Sequence, residues 1–137
     1  GTAVSAMKCG LLPLSQHANG VINSVAYHQY AQVTTDDEEC ERLGRDIGDK
    51  HLMVLHNHGL LACGRTAGEA FWYLYFLEMA CKIQVDVLCA GQEYITPEPA
   101  AVQGVAEYGM PKAEPKGARE WPTLIRMLDR TDDSYKT

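Results

Sequence analysis

The amino-acid sequence predicts a layered α/β domain, and three observations support that prediction. Short apolar runs of strand length alternate with longer segments in which apolar residues recur at helical spacing. Thr and Glu stand three residues apart at the start of two of those longer segments, which is the spacing of a capping box. Glycine follows the ends of several segments, as it commonly follows helices. Since alternating strands and helices pack in layers, we expect a sheet covered by helices.

One helix and one strand region are predicted for the N-terminal part of the chain. Residues 2–9 carry small and apolar side chains and stop at Gly10, which indicates a helix. Residues 11–14 form an apolar connector that contains a proline. Residues 21–30 are rich in Val, Ile and Tyr and alternate imperfectly. This composition favours a strand pair, or a single strand with an irregular end.

A helix and two strands are predicted next. Thr35 and Glu38 have capping-box spacing, apolar residues follow at helical intervals, and Gly48 ends the segment. The acidic run at the start of this helix suits the positive end of the helix dipole, so we interpret it as a solvated face. Residues 52–55 and 60–63 are apolar runs of strand length, joined by a His-Asn-His-Gly sequence that favours a turn or a bulge.

The longest helix is predicted over residues 67–90. Thr66 and Glu69 form its capping box, and a glycine follows its end. The segment is apolar nearly all round, which indicates burial on several sides or packing at a subunit interface. Glu78 interrupts the apolar surface, and we expect a buried ion pair with Lys82 one turn further on.

In the C-terminal part, the sequence predicts a helix that begins at Pro97 and ends near Gly109. A segment with Pro, Lys and Gly follows, which we interpret as an exposed linker. A short helix over residues 119–130 and a polar tail complete the chain. Residues 1–109 are therefore predicted to form the domain, and residues 110–137 the linker, short helix and tail.

Composition excludes several functional classes. The formal net charge is -6 and Lys and Arg form no stripe, so we expect no nucleic-acid partner. No apolar run reaches the roughly 18 residues that a membrane span needs, and no signal-peptide pattern opens the chain. The five cysteines are odd in number and include no CxxC pair. We expect buried free thiols in a reducing cytoplasm.

The histidines offer candidate metal ligands. His56 and His58 are two residues apart, so on an extended backbone their side chains would point to opposite faces and only one would face a site. That histidine is either a metal ligand or a hydrogen-bonded structural residue. His28 is a further candidate, with a backbone carbonyl partner as the alternative. His17 and His51 lie in polar settings, which favours solvation.

Other chemistry is weakly supported. Catalytic zinc usually takes three protein ligands, more than these isolated histidines supply. No GxSxG motif is present, and we assign no cysteine as an activated nucleophile. No glycine-rich loop of a phosphate-binding type is present either. We therefore assign no catalytic residue.

Three stretches, residues 3–13, 55–66 and 69–84, resemble the class II aldolase/adducin domain family in order and spacing. Residues 121–129 are similar to the adducin-type branch. The resemblance implies a three-layer α/β/α domain around a mainly antiparallel sheet, often assembled as a homotetramer. The chain has no initiator Met, and we expect it to be a fragment or a processed product that lacks the N-terminal part of the domain.

The same resemblance implies a divalent ion, commonly zinc, held by three histidines. Two come from an upstream His-x-His pair, and the third is the histidine before Gly in the Asn-His-Gly turn, a position that matches His58. His56 matches no ligand position, so we expect a structural role for it. The catalytic carboxylate of the family also lies upstream of this chain.

The implied function is that of a metal-dependent lyase-type enzyme acting on small hydroxy-carbonyl or carboxylate substrates. Aldol cleavage, epimerisation and decarboxylation all pass through an enediolate-like anion that the ion stabilises, so the fold alone does not choose among them. We expect this chain to be inactive by itself. The alternative is a non-catalytic, adducin-like oligomeric interaction module.

Overall fold

A mixed three-stranded sheet forms the centre of the chain. The computed structural model describes residues 1–30, 37–109 and 113–136. The strands are β1 (Val25–His28), β2 (Leu52–Leu55) and β3 (Gly59–Ala62), in the order β1-β2-β3. β1 pairs parallel to β2, and β2 pairs antiparallel to β3. The α/β class is confirmed, but within the described residues the sheet is mixed rather than mainly antiparallel. The three-layer arrangement stays a prediction.

The described residues also form six α-helices. Their bounds are α1 (Thr2–Ser5), α2 (Gln16–Val21), α3 (Asp37–Ile47), α4 (Ala67–Cys89), α5 (Pro99–Gly109) and α6 (Trp121–Leu128). Two 3-10 segments cover Ile22–Ser24 and Ser134–Lys136. No helix in the described ranges is long and apolar enough to cross a membrane.

The core lies between β2 and α4. Leu52, Met53 and Val54 of β2 are completely buried, as are Tyr73 and Leu77 of α4. β2 is covered on both faces and flanked by a strand on each side, which explains why its sequence is continuously apolar rather than alternating.

The strong local signals of the sequence are confirmed. β2 covers the predicted residues, and α4 differs from its predicted bounds by one residue at its end. The Thr66 side chain accepts the N–H of Glu69, so half of the predicted capping box is present. The Glu69 carboxylate binds the N–H of Arg65 instead of the N–H of Thr66. α3 ends before Gly48, whose φ of 52° suits glycine. Thr35 lies outside the described residues.

The N-terminal predictions were partly wrong. The helix predicted over residues 2–9 is only the four-residue α1, and its Ser5 hydroxyl donates to the Thr2 carbonyl. α2 was missed, although the Ser15 side chain caps it by accepting the N–H of Ala18. The region predicted as strand over residues 21–30 begins with the end of α2 and a 3-10 turn, and only β1 is extended.

The C-terminal elements also differ in detail. α5 begins at Pro99 rather than Pro97, and the Glu98 carbonyl accepts the N–H groups of Ala101 and Val102. Gly117, predicted to lie in an exposed linker, is buried against the Gly68 carbonyl. Residues 110–112 lie outside the described ranges, and the domain boundary at residue 110 stays a prediction.

Two predictions of burial were wrong. Only Cys81 is buried, where burial raises the pKa of its thiol to about 11. The other four cysteines are free and exposed, namely Cys9, Cys40, Cys63 and Cys89. Glu78 is exposed, so the expected buried ion pair with Lys82 was wrong.

Candidate functional site

Residues 56–58, here named the histidine turn, connect β2 to β3. The backbone N–H of His58 donates to the Leu55 carbonyl at 3.0 Å, which closes the turn. Asn57 has a φ of 57°, a left-handed conformation that Asn tolerates better than most residues. Gly59 has a φ of 148°, a value essentially restricted to glycine. The turn predicted from Asn and Gly is confirmed.

Two main-chain carbonyls outside the hairpin anchor the histidine turn. The N–H of His56 donates to the carbonyl of His28, the last residue of β1, at 2.9 Å. The N–H of Asn57 donates to the carbonyl of Ser5, the last residue of α1, at 3.1 Å. The turn is therefore attached to β1 on one side and to α1 on the other.

The two histidines of the turn differ in environment. The half-buried His56 ring stacks on Tyr27 at 5.9 Å, and its Nδ1 lies 3.1 Å from the Ser5 carbonyl oxygen. Its predicted structural role is supported by these contacts. His58 is exposed, and among the described residues its imidazole makes no hydrogen bond or ion pair. Because the segment is a turn rather than an extended strand, the two rings are distinguished by burial and hydrogen bonding and not by opposite faces of a strand.

His58 fits a zinc site as one ligand. An exposed, unprotonated imidazole is a common zinc donor, and the turn fixes the backbone that carries it. In the described parts of the chain, no group of three His, Cys, Asp or Glu residues could hold a metal ion. His58 as a ligand position therefore stays a prediction.

A second histidine lies behind the turn. His28 is 5% exposed, with its Nδ1 2.7 Å from Asp46 Oδ2 and its Nε2 2.8 Å from Glu39 Oε1. The Arg42 guanidinium donates to the second oxygen of Glu39. These four residues are named the His28 cluster. The prediction of a backbone carbonyl as the partner of the ring was wrong, since both ring nitrogens face carboxylates from α3.

The residues of the His28 cluster stabilise one another's charged forms. Burial alone would lower the pKa of His28, but hydrogen bonds and attraction to Asp46 and Glu39 outweigh it and raise the pKa above 6.5. Hydrogen bonds from His28 and Arg42 lower the pKa of Glu39. An imidazolium is the form of the ring that donates from both nitrogens. The seven-residue spacing of Glu39 and Asp46 places both on one helix face, but the sequence did not indicate that His28 faces them.

The two remaining histidines pack on aromatic rings of α4. His51 lies flat against Tyr73, with ring centroids 4.7 Å apart, and His17 lies 5.2 Å from Phe76. Both are half-buried, so their predicted solvation was wrong. The physical reason is that α4 presents rings to the loop before β2 and to α2, which the polar sequence around each histidine does not show.

Residues 1–85 match the profile of the Class II Aldolase and Adducin N-terminal domain family. This chain belongs to that family. A protein of Caulobacter vibrioides named for the class 2 aldolases is 42% identical over 137 residues, covering 98% of this chain and 53% of that protein. Alpha-adducin of Rattus norvegicus is 38% identical over 150 residues, covering 100% of this chain and 20% of that protein. The resemblance stated from the sequence is confirmed.

Two solved structures share the fold. An aldolase II superfamily protein from Pseudomonas syringae superposes with a TM-score of 0.91 at 42% identity, covering 100% of this chain and 55% of that one. L-fuculose 1-phosphate aldolase from Glaciozyma antarctica superposes with a TM-score of 0.73, covering 95% of this chain and 48% of that one. At 21% identity, this second likeness shows the fold alone. The chain spans about half the length of the Caulobacter relative.

Proposed function

We propose that this chain is part of a metal-dependent lyase-type enzyme, with His58 as one ligand of a divalent ion, for which zinc is the expected metal. The observation that carries the proposal is the exposed His58 imidazole on a turn fixed by hydrogen bonds to β1 and α1. Membership of a family that includes class II aldolases supports it. The remaining ligands and a proton-transferring carboxylate would come from residues outside this chain.

The contribution of this chain to the chemistry is positional. The histidine turn holds the His58 backbone. His56, whose Nδ1 lies against the Ser5 carbonyl and whose ring stacks on Tyr27, is not part of the proposed ligand set. A bound ion would supply Lewis-acid stabilisation of negative charge beside a carbonyl, which aldol cleavage, epimerisation and decarboxylation all need. The proposed substrates are small hydroxy-carbonyl or carboxylate compounds. Without the other ligands, we expect the 137-residue chain alone to be inactive.

Turnover by the complete protein tests this proposal. His58→Ala is expected to reduce metal-dependent cleavage or decarboxylation of hydroxy-carbonyl substrates by about a hundredfold or more, because charge stabilisation at the reacting carbonyl is lost. Steady-state assays with and without a chelator measure the effect. His17→Gln is the matched control and should retain turnover, since His17 packs on Phe76 away from the histidine turn. Equal turnover in the wild type and His58→Ala would contradict the proposal.

A second candidate function is an adducin-like interaction module that assembles without chemistry. The observation that favours it is an apolar groove of about 630 Å³ between α4 and α6. The side chains of Phe71 and Tyr75 in this groove are 45% and 50% exposed, so a large apolar ring surface contacts water. The residues that form this aromatic groove include Phe71, Trp72, Tyr75, Phe76, Trp121 and Leu124. We propose that it contributes to a homo-oligomer, with a tetramer as the expected state.

A charge placed in the aromatic groove tests its role in assembly. Tyr75→Glu is expected to shift the complete protein to a smaller species in sedimentation velocity, because burying an unpaired carboxylate is costly. Leu74→Glu is the control, since Leu74 is also exposed on α4 but does not line the groove. An unchanged mass for Tyr75→Glu would count against the groove as an interface. An intact oligomer without metal or turnover would favour the interaction module over the enzyme.

A further inference from the structure

His28 contacts two parts of the molecule through different groups. It is the last residue of β1 and pairs in register with Leu55, the last residue of β2. Its main-chain carbonyl accepts the N–H of His56 at 2.9 Å. Its side chain lies between two carboxylates of α3. One residue therefore links the position of α3 to the start of the histidine turn.

The His28 side chain is held by charge as well as by packing. The charged groups that face it are Asp46 and Glu39, both on α3, and Arg42 lies behind Glu39. The β2 residue beside it in register is Leu55, which carries no charge. Hydrogen bonds between charged partners in a buried setting are stronger and more directional than neutral ones. The ring is therefore fixed at both nitrogens.

β1 needs such an attachment. It has four residues and lies at one edge of the described sheet, next to β2. Short strands at the end of a sheet open locally more easily than central ones. The contacts of the His28 side chain to α3 hold the end of β1 that carries this carbonyl.

We propose that His28 is a positioning residue, whose attachment to the two α3 carboxylates holds the β1 carbonyl that anchors the turn presenting His58. Its relevance to metal binding rests on the proposed role of His58, whereas the anchoring of the turn does not. The arrangement also makes the turn sensitive to pH. A neutral imidazole donates from only one nitrogen, so its other lone pair would face a carboxylate.

The direction of the pH effect follows from the charges. The contacts of the His28 cluster raise the pKa of His28 above its ordinary value of 6.5. The anchoring is therefore complete below about pH 6.5 and is lost as the pH rises through the higher pKa of the folded protein. The protection of the His56 amide against hydrogen exchange, corrected for the intrinsic effect of pH, should fall over the same range.

Amide exchange in the 137-residue chain, followed by NMR, tests the inference. His28→Gln is expected to lower the protection of the His56 amide by roughly tenfold or more, because glutamine is uncharged and donates from a single nitrogen, so its oxygen would face one of the two carboxylates that the ring nitrogens reach. The double variant His28→Gln with Asp46→Asn should restore most of it, since the introduced asparagine can donate to the glutamine oxygen while the glutamine donates to Glu39. Protection of the Ala106 amide in α5 reports global stability, and His17→Gln is the matched control.

The outcomes separate the possibilities. Selective loss at His56 in His28→Gln, with rescue in the double variant, supports the inference, and unchanged protection at His56 overturns it. If His28→Gln unfolds the whole chain, the wild-type pH titration decides. A fall in His56 protection that follows the titration of the His28 ring supports the inference, whereas a flat profile while that ring titrates overturns it. The turn could be anchored as proposed while His58 of the complete protein binds no metal. That result would support this inference and refute only the proposed function.

Discussion

Glu69→Gln is expected to lower the free energy of unfolding by about 2–4 kcal/mol. The Glu69 carboxylate is completely buried and accepts four N–H groups. Three of these N–H groups belong to Arg65: its main-chain N–H donates at 2.7 Å and its guanidinium donates at 3.0 and 2.8 Å. The fourth is the main-chain N–H of Lys116, at 3.3 Å. A glutamine has one acceptor oxygen and would place an NH₂ group against the remaining donors.

The loss should extend beyond the first turn of α4. Glu69 also joins that turn to the segment around Lys116, which precedes α6. Chemical denaturation of the 137-residue chain measures the change, and Glu107→Gln, on the exposed face of α5, is the matched control. A difference of less than about 0.5 kcal/mol between the two variants would be the size of an ordinary surface substitution and would refute the role given to Glu69.

The same carboxylate predicts how stability depends on acid. Hydrogen bonds from Arg65 outweigh burial and hold the pKa of Glu69 at about 2, compared with an ordinary value of 4.5. A lowered carboxyl pKa contributes stability that is complete above the ordinary pKa and is lost as the pH falls towards the lower value. The wild type should therefore lose stability more steeply than Glu69→Gln between about pH 4.5 and pH 2.

Gly109→Ala is expected to lower the free energy of unfolding by about 2–3 kcal/mol. Gly109 is the buried last residue of α5, and a Cβ there would overlap the carbonyl oxygen of Gly20 in α2, with the carbonyl carbon only 2.7 Å away. The obstacle is backbone rather than a flexible side chain, so relief requires the two helices to move apart.

Gly104→Ala is the matched control for this contact. Gly104 lies in the same helix, and a Cβ there would meet nothing within 4 Å. Alanine at an exposed helical position should stabilise the chain by about 0.5–1 kcal/mol relative to glycine. Thermal or urea unfolding of both variants measures the contrast. Equal shifts in the same direction would show that α2 and α5 do not meet as closely as the structure shows.

The parts of the fold that were predictable from the sequence are those with strong local causes. β2 is a continuous apolar run, α4 has a capping threonine and a glycine after its end, and the histidine turn contains Asn and Gly where the backbone needs them. The missed parts depend on distant contacts. Residues 6–9 were misassigned to a helix, because the chain that follows is held by distant side chains: Gln84 donates to the Gly10 carbonyl, and Tyr27 and Gln84 accept the N–H groups of Leu11 and Leu12.

The candidate site divides in the same way. The sequence singled out the two histidines of the turn, and its resemblance to a family favoured His58 over His56. In the structure the two rings differ in environment, because the half-buried His56 contacts the Ser5 carbonyl and Tyr27 while His58 is exposed. The carboxylates around His28 were beyond prediction, because a helix face shows its spacing in sequence but not the residue that lies opposite.

Metal content of the complete protein tests the central claim most directly. We expect about one zinc ion per chain in the wild type after dialysis against a zinc buffer and measurement by mass spectrometry. His58→Ala should retain a small fraction of that amount, while His17→Gln should bind as the wild type does. Equal zinc content in the wild type and His58→Ala, with both proteins folded, would contradict the assignment of His58 as a metal ligand.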